Sequence, residues 1–185
     1  MSATHKTIQI EYKDNLLKGE YSYSAKDLYV RLKTPQGDLQ KGVHIPYMAP
    51  KQWTEDLAET RAREVISELW NFYRSVLAHK EEIINLLPII QEKKGLMEKE
   101  KEHEECEMQR LKSMLKEGVV SNVEYQKAYM PHKRRYENIE LEQNRIFQNA
   151  VEDILKDNLF SVDSPEAAIL NILEVNNMID ESNNA

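Results

Sequence analysis

A single cysteine, Cys106, is all that this chain of 185 residues contains, so no intramolecular disulfide can form and a disulfide-stapled scaffold is excluded. Glycine is nearly as scarce at five residues, and proline stops at six. So few turn formers imply long elements joined by few tight turns. An excess of base is missing as well. Lys and Arg number 25 against 32 Asp and Glu, for a net charge of -7 and a pI near 5.4. A protein that coats nucleic acid non-specifically needs the opposite balance.

Long apolar runs are also lacking. The most apolar window, IINLLPII at 83–90, falls far short of the roughly 20 residues a membrane helix requires. The opening MSATHKTIQIEYKD shows no basic region followed by an apolar run of roughly 7–15 residues. No signal peptide and no membrane partner are expected, and the cytoplasm is the expected location. With 41% hydrophobic and 31% charged residues and a mean hydropathy of -0.68, the chain should bury less than a sphere of its length would.

Motifs of catalysis are absent in the same way. There is no G-x-S-x-G elbow, no Walker loop and no G-x-G-x-x-G. Cys106 stands among Glu102, Glu104, Glu105 and Glu107, surroundings that work against a reactive thiolate. Glu100 and His103 have the spacing used by carboxylate-bridged metal bundles, but such a bundle needs a second Glu-x-x-His and two more carboxylates. His103 and Cys106 alone are too few for zinc. The expectation is no enzyme, no metal and no cofactor.

What is present divides along the chain. Residues 7 to 47 alternate as strands do: Ile8, Ile10 and Tyr12; Tyr21 and Tyr23; then Leu28, Val30 and Leu32 opposite Tyr29 and Arg31. TPQGD at 34–38 reads as a turn, with Pro35 presetting φ and Gly37 free to take the left-handed region. GVHIPY should return as the last strand, with Val43 and Ile45 in register. An antiparallel meander of three or four strands results, with one apolar face to cover.

The cover follows. Thr54 suits the N-cap, with Glu55 and Asp56 where the helix dipole favours acids. Ala58, Ala62, Val65, Leu69, Phe72 and Val76 fall at 4- and 3-residue steps, and Ile66, Trp70, Tyr73 and Leu77 widen the stripe. Pro88 predicts a break or kink near 84–88, and with it a second helix opening there.

Farther on, LKSMLKEGVVSNVEYQKA (111–128) pairs Leu111, Met114 and Leu115 with Gly118, Val119 and Val120, then Ser121, Glu124 and Tyr125. Gly118 suits a helix C′ position, Val119 and Val120 would pack back on the finished helix, and Ser121 with Glu124 suits a capping box. The segment resembles the SHOCT-like helical hairpin found at the ends of many bacterial proteins. That resemblance spans about a tenth of the chain and implies helical packing and no further function. A long helix should run from Ser121 toward Asn158, with Pro131 breaking or kinking it. Tyr125, Tyr129, His132, Tyr136, Ile139, Gln143, Ile146 and Ala150 keep strict 4–3 spacing along it, a heptad-like seam. Ser164 and Pro165 then open a last helix with Ile169, Leu170, Ile172 and Leu173, expected to dock on the body, before a disordered tail.

His132, Lys133, Arg134 and Arg135, with Lys127 a turn before, form the one basic cluster. Contact with phosphates there is one reading; Glu137, Glu140 and Glu142 directly after favour the other, a solvated helix face with i,i+4 pairs. Four strand tyrosines between Tyr12 and Tyr29 serve either a sheet-to-helix core or an aromatic binding surface.

The reading is therefore α+β: a small N-terminal antiparallel sheet packed on a long helix (1–80), an extended, coiled-coil-like helical hairpin (81–160), and a docking C-terminal helix with a tail (161–185). A helix of about 35 residues reaches roughly 50 Å, more than the small sheet can cover, so its seam calls for another helix in this chain or in a second copy. The expected function is non-catalytic protein binding as an adaptor, inhibitor or assembly subunit, in a homo-oligomer, through the hairpin and the aromatic sheet. The alternatives are phosphate contact through Lys127 and 132–135, or an acidic inhibitor of a nucleic-acid enzyme, motivated by the Glu-rich run 98–107.

Overall fold

The computed structural model describes residues 5–45 and 52–174. The expectations for Pro46 and Tyr47 and for the C-terminal tail lie outside the described residues. The chain forms two compact units, one taking it up to Ile84 and again from Val151, the other Asn85–Ala150. These limits differ from 80/81 and 160/161. The end of the long third helix carries Val151 and Leu155, both buried in the first unit, so those turns group with it and not with the hairpin.

The first unit opens with four antiparallel strands in sequence order, β1 (Lys6–Tyr12), β2 (Asn15–Tyr23), β3 (Asp27–Thr34) and β4 (Gly37–His44). Lys13 and Asp14, at φ 48° and 60°, make the two-residue turn between β1 and β2, the positive-φ pair that matches strand twist. Gly37 takes φ 120° after Pro35 and Gln36, and Thr34 Oγ1 donates to its carbonyl at 2.6 Å. Alternation then sorts the faces. Ile8, Ile10, Leu17, Leu28, Val30, Leu32 and Leu39 are buried on one side. The other side carries ion pairs: Glu20 with Lys33 at 2.6 Å, Asp38 with Arg31 at 3.6 Å, and Asp27 with His44 at 2.8 Å.

Helix α1 (Glu55–Ala78) covers the apolar face. Thr54 caps it, its side chain accepting from Leu57 N–H at 3.4 Å. All six residues of the predicted stripe, Ala58 to Val76, are fully buried. Tyr21 is buried beneath α1, and Tyr12 Oη exchanges hydrogen bonds with Asn71 of that helix, at 3.1 and 3.3 Å. Tyr21 thus serves the core, while Tyr12 and Tyr23 are half-buried. Tyr29 alone among the four is exposed, at 60%.

The return of the chain closes the unit. After α3 (Asn122–Leu155), Lys156 turns into the left-handed region at φ 49° and a 3-10 turn spans Lys156–Ser161, where the sequence suggested a loop. Leu159 is buried there, and α4 (Pro165–Ile172) buries Ile169 and Ile172. Ser164 stands at the N-cap as expected but makes no side-chain capping bond. The return also protects the β4 edge: Asp163 N–H donates to the Gln40 carbonyl at 3.2 Å, and Gly42 N–H donates to Asp163 Oδ2 at 2.8 Å. At the opposite edge Arg63 of α1 donates to the Gln9 carbonyl at 3.4 Å.

Of the break or kink expected near 84–88, no break falls at Pro88; the chain breaks earlier. α1 ends at His79, whose N–H and Nδ1 both lie against the Ser75 carbonyl, at 3.2 and 2.9 Å, and α2 (Lys80–Lys116) then runs through Pro88. α3 likewise runs through Pro131. Both prolines are exposed, so the carbonyls they leave unbonded lie on the solvent side. No described helix is long and apolar enough to cross a membrane.

Candidate interaction surface

The second unit is an antiparallel pair of helices built on the turn at 117–121. Gly118 adopts φ 71°, its N–H donates to Leu115 and the N–H of Val119 to Met114, at 3.1 and 2.9 Å. This is the Schellman arrangement that satisfies the last carbonyls of a helix. The capping box follows. Ser121 N–H and Oγ donate to Glu124 Oε2 at 2.9 and 2.6 Å, and Glu124 N–H donates to Ser121 Oγ at 3.3 Å. These bonds hold the Glu124 carboxyl below its ordinary range. Val119 stays 62% exposed and only Val120 is half-buried, so the expected packing of both valines on the finished helix is not made.

Along α3 the 4–3 positions turn toward α2. Tyr125 and Ile139 are buried, and Tyr129, His132, Tyr136, Gln143, Ile146 and Ala150 are half-buried. Ile90, Met108 and Leu111 of α2 and Phe147 of α3 complete the buried set. Tyr125 and Tyr129 stack with ring centres 5.0 Å apart, and the ammonium groups of Lys112 and Lys101 lie over Tyr129 and Tyr136 at 5.5 and 5.2 Å.

Polar partners cross between the helices at each level. His132 Nδ1 lies 2.6 Å from Glu104, Arg135 Nε donates to Glu100 at 3.0 Å, Gln143 donates to Glu98 at 2.8 Å, and Lys101 is 3.7 Å from Glu140. The bond to Glu100 raises the Arg135 pKa. Lys133 pairs with Glu137 one turn on, at 3.6 Å. The basic cluster is thus divided. His132 and Arg135 face acids of α2, Lys133 is paired on its own helix, and Lys127 and Arg134 are exposed without an ion pair among the described residues. The structure does not bring the five bases to one phosphate-sized site.

Glu100 is occupied by Arg135, and His103 and Cys106 are exposed. Among the described residues no group of three or more His, Cys, Asp or Glu is placed to hold a metal.

One feature of this unit was not read from the sequence. A groove of about 660 Å³ runs between α2 and α3, lined by Leu86, Ile89, Met97, Leu141, Ile146 and Ala150, with Lys93, Glu142 and Arg145 at its rim. Ile89 is 50% exposed and Leu141 58%. Ile89 belongs to the apolar window already noted, but Leu141 lies off the seam, a lone apolar residue between Glu140 and Glu142. That isolation is its only sequence signal.

Comparison with protein-family models, with curated proteins and with solved structures returns no match to this chain.

Proposed function

We propose that this chain is a non-catalytic protein-binding protein, an adaptor, inhibitor or assembly subunit, whose partner seats in the groove between α2 and α3. The observation that carries the reading is the pair Ile89 and Leu141, half or more exposed on one concave apolar surface. Single exposed apolar residues are ordinary on any protein; several gathered along one groove favour occupation by another apolar face. A groove between two helices suits a helical partner, which presents apolar anchors every three or four residues. The charge-paired outer face of the sheet, where Tyr29 alone of the four strand tyrosines is exposed, supports the hairpin over the sheet as the contact. A cytoplasmic location agrees with the exposed, unpaired Cys106.

The test is capture from the native cell with the intact chain as bait, beside Leu141→Arg and, as a surface control in the other unit, Phe160→Arg. Phe160 is 52% exposed, so both substitutions leave the cores untouched. A partner retained by the wild type and the Phe160 variant but lost with Leu141→Arg is the expected result. Equal retention on all three, or on none, contradicts the reading.

A further inference from the structure

We infer that the outer face of the sheet holds a site for a small primary ammonium ion, seated over the Ser22 hydroxyl between the Tyr29 ring and the Asp163 carboxylate. The site lies within the first unit and is independent of the groove. A cavity of about 260 Å³ opens there, with His5 at its rim. It is smaller than the roughly 300–1,000 Å³ that drug-sized ligands occupy. Strand pairing places its walls. Glu20 and Ser22 of β2 stand opposite Arg31 and Tyr29 of β3, and these stand opposite Gln40 and Gly42 of β4, so all six alternate onto the same face.

Ser22 forms the floor. It is 7% exposed, the only polar residue so buried among the described residues. Its hydroxyl bonds to no described residue and opens on the cavity. A buried hydroxyl ordinarily has a partner, and here only the cavity is left to supply one. Tyr29 forms one wall, and among the described residues no cation and no second ring lies over it. Asp163 forms the other. It is pinned to β4 twice, by the Gly42 N–H at 2.8 Å and by its own N–H to the Gln40 carbonyl at 3.2 Å. Tyr29 Cε1 and Asp163 Oδ2 each come within 3.5 Å of the point a Gly42 Cβ would occupy. Ring and carboxylate are therefore neighbours, and a side chain longer than alanine's at 42 would displace one of them.

Charge selects the ligand. Glu20 with Lys33 at 2.6 Å, and Arg31 with Asp38 at 3.6 Å, cancel along the neighbouring rows. Asp163 has no ion pair among the described residues and remains the uncompensated charge. A carboxylate beside an open aromatic face attracts a cation. A single ring falls short of the aromatic cage that holds a quaternary ammonium. The second Asp163 oxygen and Ser22 Oγ instead accept N–H bonds, which selects a primary ammonium.

Amide NMR titration of the nitrogen-15-labelled full chain with n-butylammonium tests this, with n-butanol and n-butyrate as neutral and anionic probes of the same length. Saturable shifts at Ser22, Tyr29 and Gly42 are expected from n-butylammonium alone. Asp163→Asn keeps an acceptor for the Gly42 N–H while removing the charge, and should weaken binding about tenfold. Tyr29→Leu should weaken it about two- to fivefold. Ser22→Ala breaks no bond of the fold and should weaken it about two- to tenfold. Amide spectra unchanged away from the cavity establish that the variants are folded. Equal response to n-butanol or n-butyrate, tetramethylammonium bound as tightly as n-butylammonium, full-strength binding by Asp163→Asn, or no saturable shift overturns the inference. A blocked lysine peptide titrated in parallel separates two sources of the group. Tighter binding than n-butylammonium assigns it to a protein side chain and weaker binding to a free amine, and both uphold the site.

Discussion

A methyl group added to Gly19 in β2 would stand 2.7 Å from Ile66 Cδ1 of α1 and 2.7 Å from the Arg31 carbonyl oxygen of β3. Glycine is therefore the residue that lets α1 lie down on the sheet, and one of the two crowding atoms is backbone that cannot turn aside. Gly19→Ala should destabilise the first unit by roughly 1–3 kcal/mol, the usual effect of overpacking. Urea titration followed by Trp53 and Trp70 fluorescence measures it. An unchanged midpoint would show that the contact is looser than described.

Two other glycines should respond with opposite signs. Gly118 holds φ 71° with open space around it, so Gly118→Ala meets no clash and loses about 1 kcal/mol from backbone strain alone. Gly95 lies inside α2, also in open space, and Gly95→Ala should stabilise by about 0.5–1 kcal/mol through helix propensity. Hydrogen exchange of the 85–150 amides separates the two. The same sign for both would contradict the turn geometry.

The capping box adds a pH dependence. The Glu124 carboxyl sits below its ordinary 4.5, chiefly through the Ser121 hydroxyl and then its N–H. A depressed carboxylate contributes stability that is complete above its unfolded value and is lost as pH falls through the folded one. The turn should hold through neutral pH and weaken only below about 4.5. Carbon-13 titration of the Glu124 carboxyl should show a value under 4.5 that returns upward in Ser121→Ala, with about 1 kcal/mol of helix stability lost. A carboxyl that titrates alike in both proteins would remove the bond from solution.

The legible parts of this molecule are those set by local period. The α1 stripe is fully buried at every one of its six positions, and the α3 seam turns toward α2 because a 4–3 repeat admits one inward face. Breaks were less legible. Pro88 carries the strongest stop signal, yet the chain breaks at His79, where no glycine or proline marks the place and the bonds from His79 to Ser75 finish the helix. The Lys13–Asp14 turn was hidden likewise, since both residues take positive φ without glycine. The groove was least legible of all. Leu141 acquires its meaning from the register of α3 against α2, a long-range relation that no window of sequence contains.

Occupation of that groove is the central claim, and hydroxyl-radical footprinting tests it most directly. Ile89, Leu141, Leu57 and Phe160 are exposed to similar extents, between 49% and 58%, so all four should label comparably in the dilute purified chain. In the native extract the account requires that Ile89 and Leu141 become protected while Leu57 and Phe160 keep their labelling. Equal labelling of all four under both conditions would contradict it.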